Sequence, residues 1–265
     1  MVGYIDYASY PHIVDSILGF YPSAEWKVLN RLRHLCSDMR DRVDRIQLEH
    51  VVLESERAYV IHRGEVVPKV PALLPLRATT SGYSVHAGHH TSAFARIQQC
   101  AKVVDIVGLP TSALMTVKLS VPTLRLRGAR DGSICRTPPP WTVDTLVMFP
   151  TGEFAFQPCQ HFRAQIARGH TKLVVHPSWG QFTLGWKSLG KDKVIPLVVV
   201  FPSYVNSAVV LLQADRLLHA KGNFLLTFVV DERLNREGDI MTLITEQLKN
   251  KYREEQHRKL VMVLC

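Results

Sequence analysis

The stretch Ile195-Pro-Leu-Val-Val-Val-Phe-Pro202 decides the fold class of this chain of 265 residues. It is a strand-length run of apolar residues that is closed by a proline, and neither of its faces is polar. Strands that are covered on both faces, as in a parallel sheet, have such near-continuous apolar runs. The run from Phe224 to Val230, closed by Asp231, has the same character. Both stretches therefore predict strands of a parallel sheet.

Five further apolar runs of strand length are closed by Gly, Pro or the end of the chain. They are Lys102–Gly108, Pro122–Gly128, Asp144–Pro150, Thr171–Pro177 and Lys259–Leu264. Successive runs are about 20 to 35 residues apart, which overlaps the period of leucine-rich repeats.

The segments between these runs predict helices. Asn206–Ala220 and Asp239–Gln256 carry apolar residues at helical spacing, and Phe162–Ile166 is a candidate for a shorter helix. Strand–helix–strand order is typical of right-handed β/α crossovers. The predicted fold class is α/β with a mostly parallel β/α domain, either an open doubly wound sheet or an irregular leucine-rich-repeat-like arc. Since no Leu-x-x-Leu-x-Leu-x-x-Asn consensus occurs, a compact α/β layer structure is favoured.

The region before the β/α domain is rich in turns. Val51–Leu53 and Ala58–Ile61 predict two short strands, and Val67–Leu76 is broken by prolines and is therefore predicted to be extended. Thr79–Thr91 predicts a mobile polar loop. We therefore divide the chain into a helical segment at 8–48, short strands with a Pro/Gly-rich connection at 49–100, and the β/α domain at 101–265.

The first fifty residues predict three short amphipathic helices. Ser9, Ser23 and the pair Ser37-Asp38 are the candidate caps. The apolar residues at helical spacing are Ile13, Val14, Ile17 and Leu18, then Trp26, Leu29, Leu32, Leu35 and Cys36, then Met39, Val43 and Ile46. About 40 residues bury too little surface to be stable alone. These helices therefore need either the rest of the chain or a partner protein.

The helical segment resembles an F-box. Tyr10-Pro11 followed by the first apolar face looks like the opening helix of that motif, and Leu35-Cys-Ser-Asp-Met-Arg40 looks like its Val-Cys-x-x-Trp-Arg segment. The sequence departs from the family pattern at Tyr10, where Leu is usual, and at Met39, where Trp is usual. The chain is thus similar to divergent F-box-like proteins of the fungal type.

The resemblance implies a function and a binding surface. In that family the three helices bind the Skp-type adaptor of a cullin–RING ubiquitin ligase, and the rest of the chain recruits a protein substrate. Carried over by position, the adaptor-binding residues are Pro11, Val14, Ile17, Leu18, Leu32, Leu35, Cys36 and Met39. The expected partners are the Skp-type adaptor with its cullin complex and a protein substrate of unknown identity.

Enzymatic motifs do not support catalysis, so a non-catalytic protein without cofactors is expected. Neither a Gly-x-Ser-x-Gly elbow nor a GxGxxG motif after a strand occurs. Gly185–Lys191 has the spacing of a phosphate-binding P-loop, but Asp192 stands in its hydroxyl position and a strand follows where a helix is needed. Cys159, His161, His170 and His176 lack the paired spacing of a structural zinc site. His86, His89 and His90 share a glycine-containing loop in which histidines are expected to be exposed, and weak metal capture is the alternative there.

Two other functions remain open. The first is an α/β enzyme, or a nucleotide- or ligand-binding protein, with its site at the carboxyl ends of the strands, where Asp231, His176 and Ser178 are the candidates. The second is nucleic-acid binding, suggested by a net charge of +9 and by a cluster of arginines. That cluster is Arg125, Arg127, Arg130 and Arg136. Because no aromatic residues interleave with it in the sequence, a stacking platform for bases is not expected.

Composition sets the expected location. Five cysteines without a Cys-x-x-Cys pair indicate free thiols in a reducing compartment. The N-terminus carries no basic stretch followed by an apolar run, and the longest apolar runs are too short to cross a bilayer. We therefore expect a cytoplasmic or nuclear protein that does not enter a membrane.

Overall fold

The structure of the protein is a computed structural model, and it contains most of the predicted helices and strands. The described residues are 11–20, 26–54, 58–62, 64–67, 70, 73, 87–107, 119–127, 141–149, 155–156, 171–177, 183–184, 194–218, 224–231, 242, 246 and 260–264. The chain is an α/β protein with a mostly parallel mixed sheet. It divides into two compact units, Met1–Asp105 and Ile106–Cys265.

The described residues of the first unit form four helices and a small antiparallel sheet. The helices are α1 (Pro11–Phe20), α2 (Trp26–Leu32), α3 (Ser37–Gln47) and α4 (Ala87–Cys100); the strands are β1 (His50–Glu54), β2 (Ala58–His62) and β3 (Glu65–Val67). β4 (Val103–Val107) crosses the boundary between the units and lies beside β1. β2 pairs antiparallel with both β1 and β3.

The hairpin between β2 and β3 depends on a glycine. Gly64 has a φ of +84°, which is the left-handed region that L side chains rarely adopt. A Cβ atom placed there would meet nothing within 4 Å. The backbone angle alone therefore selects glycine at this turn.

Helix α4 corrects the prediction for the region before it. Ala87–Thr91 was expected to belong to a mobile loop, but these residues form the first turns of α4. Its buried residues Ala93, Phe94, Ile97 and Cys100 recur at helical spacing and form one face. The glycine and the histidines of its first turn concealed this helix in the sequence, because they are typical of loops.

The second unit is built on a parallel sheet. Its strands are β5 (Ser120–Arg127), β6 (Thr142–Phe149), β8 (Lys172–Val175), β10 (Ile195–Val200), β11 (Phe224–Val230) and β12 (Leu260–Leu264), which are neighbours in this order. All five pairings are parallel. A separate pair joins β7 (Ala155–Phe156) to β9 (Thr183–Leu184). All seven strands that the apolar runs predict, including β4, are therefore confirmed.

The strand order of the second unit runs in one direction. A doubly wound sheet reverses its strand order at one point, and that point is where such sheets bind ligands. From β5 to β12 the described strands of the main sheet follow each other in space as they do in the chain. These strands therefore contain no reversal at which a ligand crevice is expected.

The expectation that both faces of the strands are covered is wrong for most of this sheet. In β10, Ile195, Leu197 and Val199 are fully buried, whereas Pro196 is exposed and Val198 is only half-buried. β11 alternates in the same way. The high β-propensity of branched residues explains why the partly exposed face is also apolar. One face therefore forms the core of the unit, and the other stays accessible.

One described helix connects two strands of this sheet. α5 (Ser207–Leu218) links β10 to β11, as the spacing of Asn206–Ala220 predicts. The side-chain oxygen of Asn206 accepts a hydrogen bond from the backbone N–H of Val209 and so caps the helix. Val210, Ala214 and Leu217 are buried along one side of it. The predicted helix Phe162–Ile166 and, apart from Thr242 and Glu246, the predicted helix Asp239–Gln256 lie outside the described residues.

None of the described helices is long and apolar enough to pass through a membrane.

Candidate functional site

The three N-terminal helices pack around a small core of their own. Leu18 of α1, Leu29 of α2 and Val43 of α3 are fully buried against one another. Val14, Leu32 and Met39 are partly buried and pack against these three. Four of the eight predicted adaptor-binding residues therefore contribute to holding the helices together.

Three other residues of the predicted set are exposed. Ile17 is 46% exposed and Leu35 is 69% exposed, although both are large and apolar. Cys36 is also exposed. Pro11 is the first residue of α1, but its side chain lies outside the described part of the chain. The structure thus separates the predicted set into inner and outer residues, which the sequence did not distinguish.

Helix α1 has two apolar sides. Ile13, Ile17 and Phe20 recur at i, i+4 and i+7 and are exposed by 38%, 46% and 74%. Val14 and Leu18, which face the core, lie about 100° further round the helix axis. The adaptor-binding residues inferred from the sequence did not include Phe20, which is the last residue of α1. The outer side of α1 is therefore an apolar strip whose three side chains are each more than one-third exposed.

Ion pairs hold the helices in place. Arg33 donates to both carboxylate oxygens of Asp44, at 2.6 and 3.3 Å, and the Asp44 side chain is completely buried. Arg42 of α3 pairs with Asp15 of α1 at 2.6 Å. Arg96 of α4 pairs with Asp41 of α3 at 2.6 Å, and this hydrogen bond raises the pKa of the guanidinium. α3 is therefore tied to its neighbours on three sides by charge as well as by apolar contact.

The cysteine of the F-box-like segment has a structural role. Cys36 is the N-cap of α3, and its sulfur accepts a hydrogen bond from the backbone N–H of Met39 at 3.4 Å. The predicted caps Ser37 and Asp38 instead form the first turn of the helix, where the charge of Asp38 interacts favourably with the helix dipole. Leu35, which immediately precedes the cap, is held outside the helix with its side chain in solvent.

The first unit also contains a cavity of about 500 Å³. Apolar side chains and two histidines line it, namely Ile46, Ile61, Val103, His50 and His62, and Lys102 and Glu49 form an ion pair of 2.7 Å beside them. The volume is in the range of small-molecule sites. Sequence reasoning missed this feature because its residues come from α3, β1, β2 and β4.

Two histidines of the cavity each have a buried ring nitrogen without a well-oriented hydrogen bond. Nε2 of His50 lies 3.1 Å from Oδ1 of Asp105, but the orientation does not satisfy hydrogen-bond geometry. Nε2 of His62 is buried without a described hydrogen-bond partner, and its ring packs edge-on against Trp26 at 5.4 Å. A buried polar atom of this kind is costly unless a ligand or a water molecule completes its contacts.

No protein-family model, no curated protein and no solved structure matches this chain.

The other predicted chemical sites are only partly described. His176 follows β8 and Asp231 follows β11, so both lie at the carboxyl edge of the parallel sheet, two strands apart. Ser178, the P-loop-like segment Gly185–Lys191, and the residues Cys159, His161, His170 and His86 lie outside the described residues, as do the side chains of His89 and His90. Within the described part of the chain, no three His, Cys, Asp or Glu residues are placed to hold a metal ion.

Proposed function

We propose that this chain is a non-catalytic adaptor whose helices α1–α3 bind a Skp-type adaptor of a cullin–RING ubiquitin ligase, while the β/α domain recruits a protein substrate. The observation that carries the proposal is the division of α1 into an inner and an outer apolar side. Val14 and Leu18 close the core of the three helices, and Ile13 and Ile17 remain accessible. Apolar side chains that the fold does not need are typical of a surface that binds another protein.

The resemblance to the F-box adds the identity of the partner. It rests on Pro11 at the start of α1 and on the Leu35–Arg40 segment before and within α3. Leu35 and Cys36 belong to that segment, and both are exposed. The one-directional strand order supports the leucine-rich-repeat-like form of the β/α domain, because repeat proteins stack each strand beside the preceding one.

The test is co-purification with a Skp-type adaptor. The double variant Ile17→Asp with Leu35→Asp places charges only on exposed residues of the three helices and their connections. Binding should weaken by at least about tenfold for each of these side chains that lies at the centre of the interface. Leu18 is unsuitable because it is only 2% exposed, and its replacement would unfold the helices.

A matched control separates docking from general surface changes. Val66 of β3 is 61% exposed and lies in the same unit, so Val66→Asp introduces the same charge elsewhere. This control should bind like the unaltered protein. Unchanged binding of the Ile17/Leu35 double variant, or an unaltered protein that does not bind the adaptor, would contradict the proposal.

A second candidate function is the binding of a small ligand in the cavity of the first unit. The buried Nε2 atom of His62 favours it, because a ligand acceptor or donor would complete its contacts. A thermal-shift screen with nucleotides and common cofactors tests this function, since a ligand that binds the folded state raises its melting temperature. Stabilisation that is lost in His62→Ala would support it, and a screen without stabilisation would count against it.

A further inference from the structure

The helical winding of α2 continues beyond its last residue. The backbone N–H of Arg33 donates to the carbonyl oxygen of Leu29 at 2.9 Å, and the N–H groups of His34 and Leu35 donate to the carbonyl oxygens three residues before them, at 3.1 and 3.0 Å. Bonds of the second kind are typical of the tight last turn of a helix. Residues 26–35 therefore form one wound segment, in which positions three or four apart share a side.

The inner side of this segment is occupied by contacts within the first unit. Trp26 and Leu29 are buried. The side-chain oxygen of Asn30 accepts a hydrogen bond from the amide of Gln47 on α3 at 3.0 Å, and Arg33 forms its ion pair of 2.6 Å with the buried carboxylate of α3. Positions 26, 29, 30 and 33 are one side of the helix, so these contacts determine which side faces outward.

The outer side of the segment carries exposed basic and apolar residues together. They are Lys27, Val28, Arg31, His34 and Leu35, which recur at i, i+1, i+4, i+7 and i+8. We call this set the α2 stripe. At a rise of about 1.5 Å per residue, the α2 stripe is about 12 Å long.

The cations of the α2 stripe have no counter-ion among the described residues. None of the described ion pairs or side-chain hydrogen bonds involves Lys27 or Arg31, whereas each arginine that ties the helices together contacts a carboxylate. The sequence explains this difference, because it contains no Asp or Glu between Glu25 and Asp38. The α2 stripe therefore has a positive potential that the fold does not neutralise.

A partner that covers the α2 stripe must match both of its components. Leu35 gains free energy when an apolar pocket removes it from water, and the cations beside it attract carboxylates. An apolar anchor within a polar rim is the usual anatomy of a protein interface. Leu35 is also one of the adaptor-binding residues that the F-box resemblance implies, so the α2 stripe shares this residue with the proposed docking surface.

We propose that the surface of the Skp-type adaptor that receives α2 is acidic, with carboxylates opposite Lys27 and Arg31 and an apolar pocket for Leu35. This inference rests on the proposed docking of α1–α3, and it adds the charge of the partner's surface. Exposed cations at the rim of an interface accelerate the approach of an acidic partner. The buried anchor, in contrast, determines how long the complex lasts.

A nucleic acid is the competing occupant, because its phosphates would be attracted by the same cations. Single strands bind proteins by stacking successive bases on several aromatic rings. His34 supplies one ring in the α2 stripe, and the exposed residues Val28 and Leu35 are aliphatic. The composition of the α2 stripe therefore favours a protein surface, and an oligonucleotide is included in the experiment as the alternative.

The experiment measures the association and dissociation rates of the full chain with a purified Skp-type adaptor by surface plasmon resonance. The two salt concentrations are about 0.1 M and about 1 M, between which the screening length falls from about 10 Å to about 3 Å. At the lower concentration, Lys27→Gln with Arg31→Gln should slow association about three- to tenfold and change dissociation little. The difference in association rate should disappear at the higher concentration. Leu35→Ala should instead accelerate dissociation.

A matched control separates the α2 stripe from the net charge of the chain, which is +9. Arg45 of α3 and Lys172 of β8 are exposed, so Arg45→Gln with Lys172→Gln removes the same charge elsewhere. Because distant exposed charges are screened, this control should change the association rate by less than about twofold. Circular dichroism and melting temperatures verify that each variant is folded.

The outcomes distinguish this inference from the proposed function. Adaptor binding whose association rate does not depend on salt, or is equally affected by the Lys27/Arg31 variant and the control, would overturn the acidic partner surface and leave the docking of α1–α3 in place. An adaptor that does not bind at either salt concentration would overturn both. Tighter binding of a single-stranded oligonucleotide of ten thymidines, with the same dependence on Lys27 and Arg31, would assign the α2 stripe to nucleic acid and overturn the inference.

Discussion

The burial of Asp44 predicts how much the N-terminal helices depend on a single carboxylate. Arg33 contacts both of its oxygens, Arg96 lies 3.7 Å away, and the Asp44 side chain has no exposed surface. Replacing Asp44 by Ala leaves the guanidinium of Arg33, which is only 15% exposed, without its counter-ion. Removing one partner of a buried pair costs about 3–5 kcal/mol, because the other charge remains out of water.

A second ion pair of the same length provides the comparison. Arg42 and Asp15 are also 2.6 Å apart, but the Asp15 side chain is 49% exposed. Water therefore replaces most of what is lost in Asp15→Ala, and the expected cost is about 0–1 kcal/mol. The two pairs share the same shortest distance, so the difference between the variants reports the burial of Asp44 together with its additional contacts to Arg33 and Arg96.

Native-state hydrogen exchange is the suitable assay, because it reports the opening free energy of individual helices within a chain of two units. The amides of α2 and α3 should lose about 3 kcal/mol or more of protection in Asp44→Ala and close to none in Asp15→Ala. Equal losses in the two variants, or a loss in Asp44→Ala below 1 kcal/mol, would refute the reasoning that burial decides the strength of this pair.

Three further predictions follow from single residues. Burial raises the pKa of the Cys100 thiol. Iodoacetamide should therefore label the exposed Cys36 in the folded chain and Cys100 only after unfolding, as mapped by mass spectrometry. Labelling of Cys100 in the folded chain would contradict this. Burial and the nearby charges of Arg125 and Arg127 lower the pKa of His176, so it should titrate below 6.5 in NMR spectra, and Arg125→Gln should raise its pKa. Because the unfolded chain takes up the proton more readily than the folded chain, stability should fall as the pH drops below 6.5. A pKa at or above 6.5 would contradict the placement of this imidazole near the two arginines. Gly64→Ala should destabilise the hairpin by about 1 kcal/mol in urea unfolding, and an unchanged midpoint would show that its backbone angle is not strained for alanine.

Local patterns were sufficient for most elements of the fold. The strands of the main sheet in the second unit are single apolar runs with turn residues at their ends, and each was located from the sequence, whereas the two-residue strands β7 and β9 were not. The three N-terminal helices were also located, because an amphipathic stripe repeats with the period of the helix. α4 was missed since its first turn has the composition of a loop.

The candidate sites depended on information that the sequence does not contain locally. Leu18 and Ile17 are neighbours in the chain, yet one is 2% exposed and the other 46%. Both are apolar, so only the packing of α1 on α2 and α3 shows which of them is available to a partner.

The sequence by itself determined the strands of the main parallel sheet, the α/β class and the apolar character of the opening helices, because each of these depends on residues close together in the chain. The tertiary structure alone decided which face of the sheet is open, and it alone placed Phe149 between Arg127 and His176. The physical reason is that burial and ring stacking are properties of neighbours in space. In a parallel sheet those neighbours come from different strands, joined by long connections.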